Sequence, residues 1–308
     1  MTISKLSRRD FIRLAGGTAA GVALIGCESE EESQNFDTII SGASLYIQGD
    51  FLRLDLGTKD GLISAIGSRG DLHGNSATTV IEAEGWFVAP GWVDLHVHIG
   101  GIGLDLDRVG AQMGSTVVVD AGTWGSAHFD DFLRDYVGPS DTPIRSLINL
   151  NPEGLTISSS GAEYVPGEED PEGAARLVEA HPELIWGVKS RVDATNATEG
   201  DPAYFARATA NFGAEMNLPV VFHIGQPEPH LLDFLELAKP GDMICHALRA
   251  QDNCILDESG TVRSEVWDAL DRGVRFDLAH GATSFSFDTA RRALDQGFDQ
   301  FTISTDLH

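Results

Sequence analysis

The sequence predicts an α/β chain: a (β/α)8 TIM barrel preceded by a small β-sandwich module. Three observations predict it. From residue 87 onward, eight short apolar runs alternate with stretches of helical period. Residues 36–86 show only period-two alternation, broken by Gly and Asp, with no helical stretch. Polar side chains recur where the later apolar runs end, which is the face on which such barrels carry their sites.

The chain begins with a segment outside the fold. Ser7-Arg8-Arg9-Asp10-Phe11-Ile12-Arg13 resembles a twin-arginine export signal. The apolar run from Leu14 to Gly26 is too short to span a bilayer as a stable helix. It ends in Leu24-Ile25-Gly26-Cys27, which resembles a lipobox. Residues 1–26 are thus read as a signal peptide and Cys27 as a lipid-attachment site. Export by the twin-arginine route and anchoring at the cell envelope are the expectation. Residues 27–35 form an acidic tether with too little apolar surface to fold.

In the module (36–86), strands are expected at 38–40, 44–47, 51–54, 62–66 and 79–81. A module of about 50 residues is small to stand alone. The barrel (87–308) follows, with strands at 93–98, 116–121, 145–150, 184–190, 218–224, 242–247, 274–280 and 300–305. Helices are expected near 126–136, 172–180, 202–215, 230–238, 264–272 and 286–296. An open doubly wound sheet would place a glycine-rich phosphate loop after the first of these strands, where histidines stand instead. The long connection 154–173 reads as a lid, with Tyr164 able to close over a substrate.

The formal net charge is −26, which repels polynucleotides and anionic headgroups, so nucleic acid is excluded as a partner. Cys245 and Cys254 lack zinc-finger spacing; they are either a disulfide or two buried thiols.

The first barrel strand carries His96 and His98 two apart, so both imidazoles face one side. Two unpaired imidazoles in an apolar run would cost several kcal/mol. A divalent metal is the simplest way to tie them together, although hydrogen-bonded core histidines remain the alternative. Lys189, His223, His246, His280 and Asp306 stand in turn at the ends of the fourth to eighth strands. Arg191 shares the parity of Lys189 and could hold a substrate carboxylate bidentately or serve a structural ion pair. Asp120 reads as a support for a ligand.

These residues lie in tracts that resemble the amidohydrolase superfamily, the urease- and dihydroorotase-related metallohydrolases. The tracts are Pro90-Gly91-Trp92-Val93-Asp94-Leu95-His96-Val97-His98, Gly187-Val188-Lys189, Val221-Phe222-His223, Cys245-His246 and Ser304-Thr305-Asp306. Phe276-Asp277-Leu278-Ala279-His280-Gly281 and Ser284-Phe285-Ser286-Phe287 resemble its deacetylase branch. The resemblance implies a binuclear centre. One ion would be held by His96, His98, Asp306 and Lys189, the other by His223, His246 and the same lysine. Lys189 would bridge them as a carbamate made with carbon dioxide, and Zn²⁺ suits the donor set best. A hydroxide would be the nucleophile, with Asp306 as the catalytic proton carrier. His280, Arg191 and Tyr164 would face a small, carboxylate-bearing substrate.

The expected reaction is deacylation of an N-acyl amino acid or similar molecule, with cyclic amide hydrolysis as the alternative. From a different class, a silent metal- or solute-binding surface lipoprotein is the other alternative. The resemblance also implies that the eighth helix and C-terminal strands are missing. Ile303 would then lie open to water at about 25 cal/mol per Å². A fragment or a covering partner would account for that, with domain swapping between copies of a homo-oligomer as a third route.

Overall fold

The computed structural model describes residues 35–307, apart from 73–74, 101–105, 156–165, 196–200, 202 and 251–252. The signal segment, Cys27, Tyr164, His308 and half of the expected lid lie outside the described residues. No described helix is long and apolar enough to cross a membrane. The chain divides into two compact units, one up to Pro90 and one from Gly91.

In the first unit, β1 (Asn35–Ile47), β2 (Asp50–Lys59), β3 (Leu62–Ser68), β4 (Ser76–Glu82) and β5 (Phe87–Val88) pair into one sheet. The order is β3-β2-β1-β4, with β5 also on β1. The sandwich expected from the sequence is thus realised, among the described residues, as one mixed sheet with two small apolar clusters. Runs 38–40 and 44–47 belong to one strand rather than two, because Gly42 adopts φ +72° and the register with β2 shifts between Ile40 and Ala43. Such a bulge reads in the sequence as a break. Asp55 stabilises it by accepting the Gly42 amide at 2.8 Å. Phe87–Val88 pairs with β1, so it belongs with the module.

In the second unit, seven parallel strands follow one another around a curled sheet in chain order. They are β6 (Trp92–Val97), β7 (Ser115–Ala121), β8 (Ile144–Ile148), β9 (Ile185–Ser190), β10 (Val220–His223), β11 (Met243–Cys245) and β12 (Arg275–Asp277). Helices α1 (Leu106–Val109), α2 (Phe129–Phe132), α3 (Pro171–Ala180), α4 (Tyr204–Glu215), α5 (Leu231–Leu237), α6 (Ser264–Arg272) and α7 (Phe287–Asp295) intervene. α2 runs on as a wider turn through Val137. Helix starts follow local chemistry. Asp170 accepts the Gly173 amide at 2.8 Å with Pro171 at the first helical position, and Ser286 accepts the Thr289 amide at 3.2 Å. Apolar helix faces, such as Phe205 and Phe212 or Val266 and Ala269, bury against outward strand residues such as Val188, Val220 and Phe276.

The eighth position is filled by residues 302–307. Thr302 bridges Asp277 on one side and Leu307 bridges Val97 on the other, both parallel, so the barrel closes. The backbone bonds confirm both seams. The Leu278 and His280 amides donate to the Thr302 and Ser304 carbonyls at 2.9 and 3.1 Å. The Asp306 amide donates to the His96 carbonyl at 2.8 Å, and the His98 amide to the Leu307 carbonyl at 2.7 Å. Ile303 points outward and is 75% exposed, as its parity predicts.

Two buried carboxylates hold this closing segment. Asp94 accepts the Thr305 hydroxyl at 2.6 Å, the Thr305 amide at 3.1 Å and the His96 amide at 3.2 Å. Asp277 accepts the Thr302 and Ser304 hydroxyls at 2.6 and 2.5 Å. Removing the Asp94 acceptor leaves three donors unsatisfied near the core. Asp94→Ala is expected to cost about 3 kcal/mol, and Asp94→Asn about half as much. The check is the denaturant midpoint at unchanged slope; a midpoint equal to that of the parent would show that closure does not depend on this carboxylate.

Candidate metal centre

The inward side chains at the strand ends converge. His96 (β6) is 1% exposed, and its Nε2 lies 2.7 Å from Lys189 Nζ (β9) and 3.3 Å from Asp306 Oδ1. His98 Nε2 lies 3.2 Å from the same carboxylate oxygen. The His246 ring, just past β11, is 5.3 Å from that of His96 and 4.6 Å from that of His223 at the end of β10. The sequence-expected group His96, His98, Lys189, His223, His246 and Asp306 is therefore assembled at one end of the barrel.

His98, His246 and His223 are each anchored through one ring nitrogen, and His96 Nδ1 faces a carboxylate, which leaves the other nitrogen for the centre. His98 Nδ1 bonds the Thr123 hydroxyl at 2.8 Å. His246 Nδ1 donates to the Ala279 carbonyl at 2.9 Å. His96 Nδ1 lies 3.9 Å from Asp277 Oδ2. His223 is held the other way round, with Nε2 3.3 Å from Asp193 Oδ2. Carboxylates and carbonyls behind imidazoles are the usual supports of metal ligands. Asp120 supports the first strand, accepting the Ile99 amide at 3.0 Å and the Thr123 amide at 2.9 Å, and Thr123 in turn orients His98.

Electrostatics suit ligation. Burial pushes His96 and His246 well below the usual histidine range. Burial also pushes His223 down to about 4, with the Asp193 carboxylate opposing. These imidazoles are uncharged at neutral pH, so each has a lone pair to donate. Burial alone would raise the Asp306 carboxyl, but the His98 hydrogen bond and the charges around it hold it down to about 2. Asp306 is therefore an anion at neutral pH. The donor set fits a divalent ion. His96, His98 and Asp306 offer ligand atoms within 4.8 Å of one another, and so do His96, Cys245 and His246.

Cys245 was legible in the sequence only as a thiol of open pairing. Cys245 and Cys254 are both buried thiols and form no disulfide with each other. The Cys245 thiol donates to the Phe222 carbonyl at 3.2 Å, and burial raises it to about 12. Of the expected substrate residues, Arg191 leans on Asp193 with Nη2 3.8 Å from Oδ2, the structural alternative left open for it. His280 is exposed beyond β12; its Nδ1 bonds the Gly281 carbonyl at 2.7 Å and its ring packs 5.1 Å from Phe285. Asp193 and Asp277 are supports that sequence reading missed.

Strain gathers here. His246, Ala279 and Asp306, at the ends of three neighbouring strands, have φ of 64°, 41° and 51°. Such left-handed conformations cost about 1–3 kcal/mol each for non-glycine residues and cluster at functional sites.

A parallel barrel with these side chains at its strand ends is a protein of the (β/α)8 class with a candidate metal centre at one mouth. The comparisons agree with the resemblance to the amidohydrolase superfamily seen in the sequence. A curated relative, a deacetylase of Brucella anthropi, is 32% identical over 257 residues, covering 81% of this chain and 63% of that protein. The chain thus spans less than two thirds of that relative's length. An adenine deaminase structure aligns with TM-score 0.77 and 26% identity over 89% of this chain and 73% of its own. A dihydroorotase structure aligns with TM-score 0.73 and 26% identity over 88% and 72%. No family model matches the chain.

Gly281 gives this geometry a direct test. Its φ is +50°, and a Cβ there would stand 2.4 Å from Asp306 Oδ2. Gly281→Ala is expected to displace the carboxylate and weaken divalent-ion binding about tenfold or more, by calorimetric titration. Gly297→Ala, at φ +86° with no atom within 4 Å, carries similar backbone strain without the collision and should bind as the parent does. Equal binding by both variants would contradict the placement of Asp306.

Proposed function

We propose that this protein is a binuclear metal-dependent hydrolase that removes the acyl group from an N-acyl amino acid or a similar small acylated carboxylate. The observation that carries the reading is the arrangement of ring nitrogens. Four buried or half-buried histidines, three of them held from behind and His96 facing a carboxylate, converge on an ionised aspartate and a buried lysine. The deacetylase relative supports the acyl-transfer direction.

In this reading His96, His98, Asp306 and Lys189 hold one ion. His223, His246 and the same lysine hold the other, with Zn²⁺ the ion best matched to the donors. Bound there, the ions would polarise the scissile carbonyl and lower the pKa of water towards about 7.

Lys189 is 2% exposed, and the partner of its Nζ is an imidazole nitrogen. Its amine would attack carbon dioxide. An N–C bond forms, one N–H proton leaves to solvent, and the product is an anionic carbamate with two oxygens to share. Starting from the neutral amine, this puts an anion where a buried cation would be expensive. Asp306 would take the proton of the attacking water and return it to the leaving nitrogen, a transfer worth about 10²–10⁴-fold in rate. Burial in the barrel mouth and the His98 hydrogen bond hold that carboxylate in place for both transfers.

Cyclic amide hydrolysis is the second reading, favoured by the likeness to a dihydroorotase. Turnover of N-acyl amino acids set against cyclic amides separates the two. Assaying the same panel on Lys189→Ala tests the centre itself. Metal occupancy and activity should both fall, with partial recovery when a short-chain carboxylic acid is supplied. Full metal content with normal turnover in that variant would sink the proposal.

A further inference from the structure

Asp193 follows β9 on a loop whose sequence, Asp193-Ala194-Thr195, reads as a simple turn. The fold puts it elsewhere. It is 3% exposed, with its Oδ2 3.3 Å from His223 Nε2. Oδ1 accepts the Thr195 amide at 2.8 Å and the Thr195 hydroxyl. The loop is fastened to the next one by the Ala194 amide, which donates to the Gln226 carbonyl at 3.0 Å. Gly225 leaves the space the carboxylate fills, since a Cβ there would stand 2.1 Å from Oδ2. Arg191 approaches the same oxygen at 3.8 Å.

A carboxylate this deep would be costly without partners. Among its partners here are the His223 imidazole, the Thr195 turn and the Arg191 guanidinium. The consequence lies in the ring. His96, His98 and His246 face their supports with Nδ1, whereas His223 faces its support with Nε2. A ring held at Nε2 can offer only Nδ1, the nitrogen nearer the backbone.

We propose that Asp193 is a positioning residue: it holds the His223 ring so that Nδ1 is the nitrogen offered to the centre, with Arg191 fixing the carboxylate rather than gripping substrate. The inference rests on the binuclear reading given under Proposed function. An imidazole hydrogen-bonded to an anion is also the more basic ligand, and removing such a support commonly weakens metal affinity about 10–100-fold.

The test uses the whole chain loaded with Co²⁺, with the ions withdrawn by graded chelator while bound cobalt and its visible spectrum are followed. The parent should hold two ions. Asp193→Ala should weaken one of them about 10–100-fold and change that ion's spectrum, leaving the other as it was. Asp193→Asn keeps an acceptor without the charge and should fall between the two. Parent-like binding of both ions in Asp193→Ala would overturn the inference. So would equal weakening of both ions together with a lowered melting point, the mark of a merely structural role. Should Asp193→Ala not fold, Asp193→Asn decides by the same criteria. A parent chain that holds fewer than two ions would overturn the binuclear reading itself, and this inference with it.

Discussion

Barrel closure is the constraint on which the site depends. Residues 302–307 are bridged to the first and seventh strands at isolated points rather than through a long ladder. What holds the segment is a pair of buried carboxylates on those flanking strands. Asp94 grips Thr305 from one side, and Asp277 grips Thr302 and Ser304 from the other. Hydrogen bonds to a charged acceptor are worth about 1.5–3 kcal/mol each, roughly twice the neutral kind. The alternation of the closing segment then sends Ile303 outward and Ser304 and Asp306 inward. Asp306 thus reaches His96 and His98 because its neighbours on either side are fastened. Asp277 also faces His96 Nδ1, so one carboxylate links the closing segment to the orientation of the first ligand candidate.

The same economy runs through the imidazoles. An isolated buried polar group costs free energy, and a ring with both nitrogens unsatisfied costs twice over. In this structure one ring nitrogen of His98, His223 and His246 meets a protein partner behind the site, and the inward Nε2 atoms of His96 and His98 meet Lys189 and Asp306. A divalent ion held there would take the place of those inward contacts. The left-handed backbone at His246, Ala279 and Asp306 adds strain that a close-packed scaffold can hold. The closure bonds and the buried supports are what hold it.

The barrel was legible in the sequence because its strands are buried apolar runs whose interruptions are themselves informative. His96 and His98 share a parity that survives any reasonable error in strand ends, and Lys189, His223 and His246 each close an apolar run. The helices expected near 172–180 and 264–272 stand at Pro171–Ala180 and Ser264–Arg272, with Asp170 and Gly273 at their caps. The module's first strand was harder. A bulge at Gly42 looks like a turn when only local sequence is read, because its partner, Asp55, lies on another strand. Asp193 and Asp277 were hidden for the same reason. An aspartate two residues before a threonine in a loop, as at 193, or at the end of a strand, as at 277, has an ordinary local explanation. What makes these two consequential is an imidazole 30 residues downstream of Asp193 for one and 181 residues upstream of Asp277 for the other. Arg191 shows the converse: its parity was correct, but the carboxylate two residues along engages the charge a substrate was expected to meet.

The most direct test of the central claim is a crystal structure of the protein grown with Zn²⁺, with data collected across the zinc absorption edge. The account predicts two anomalous peaks per chain among His96, His98, His223, His246 and Asp306, with a carboxylate attached to Lys189 Nζ between them. A single peak, no peak, or an unmodified Lys189 beside two ions would contradict it.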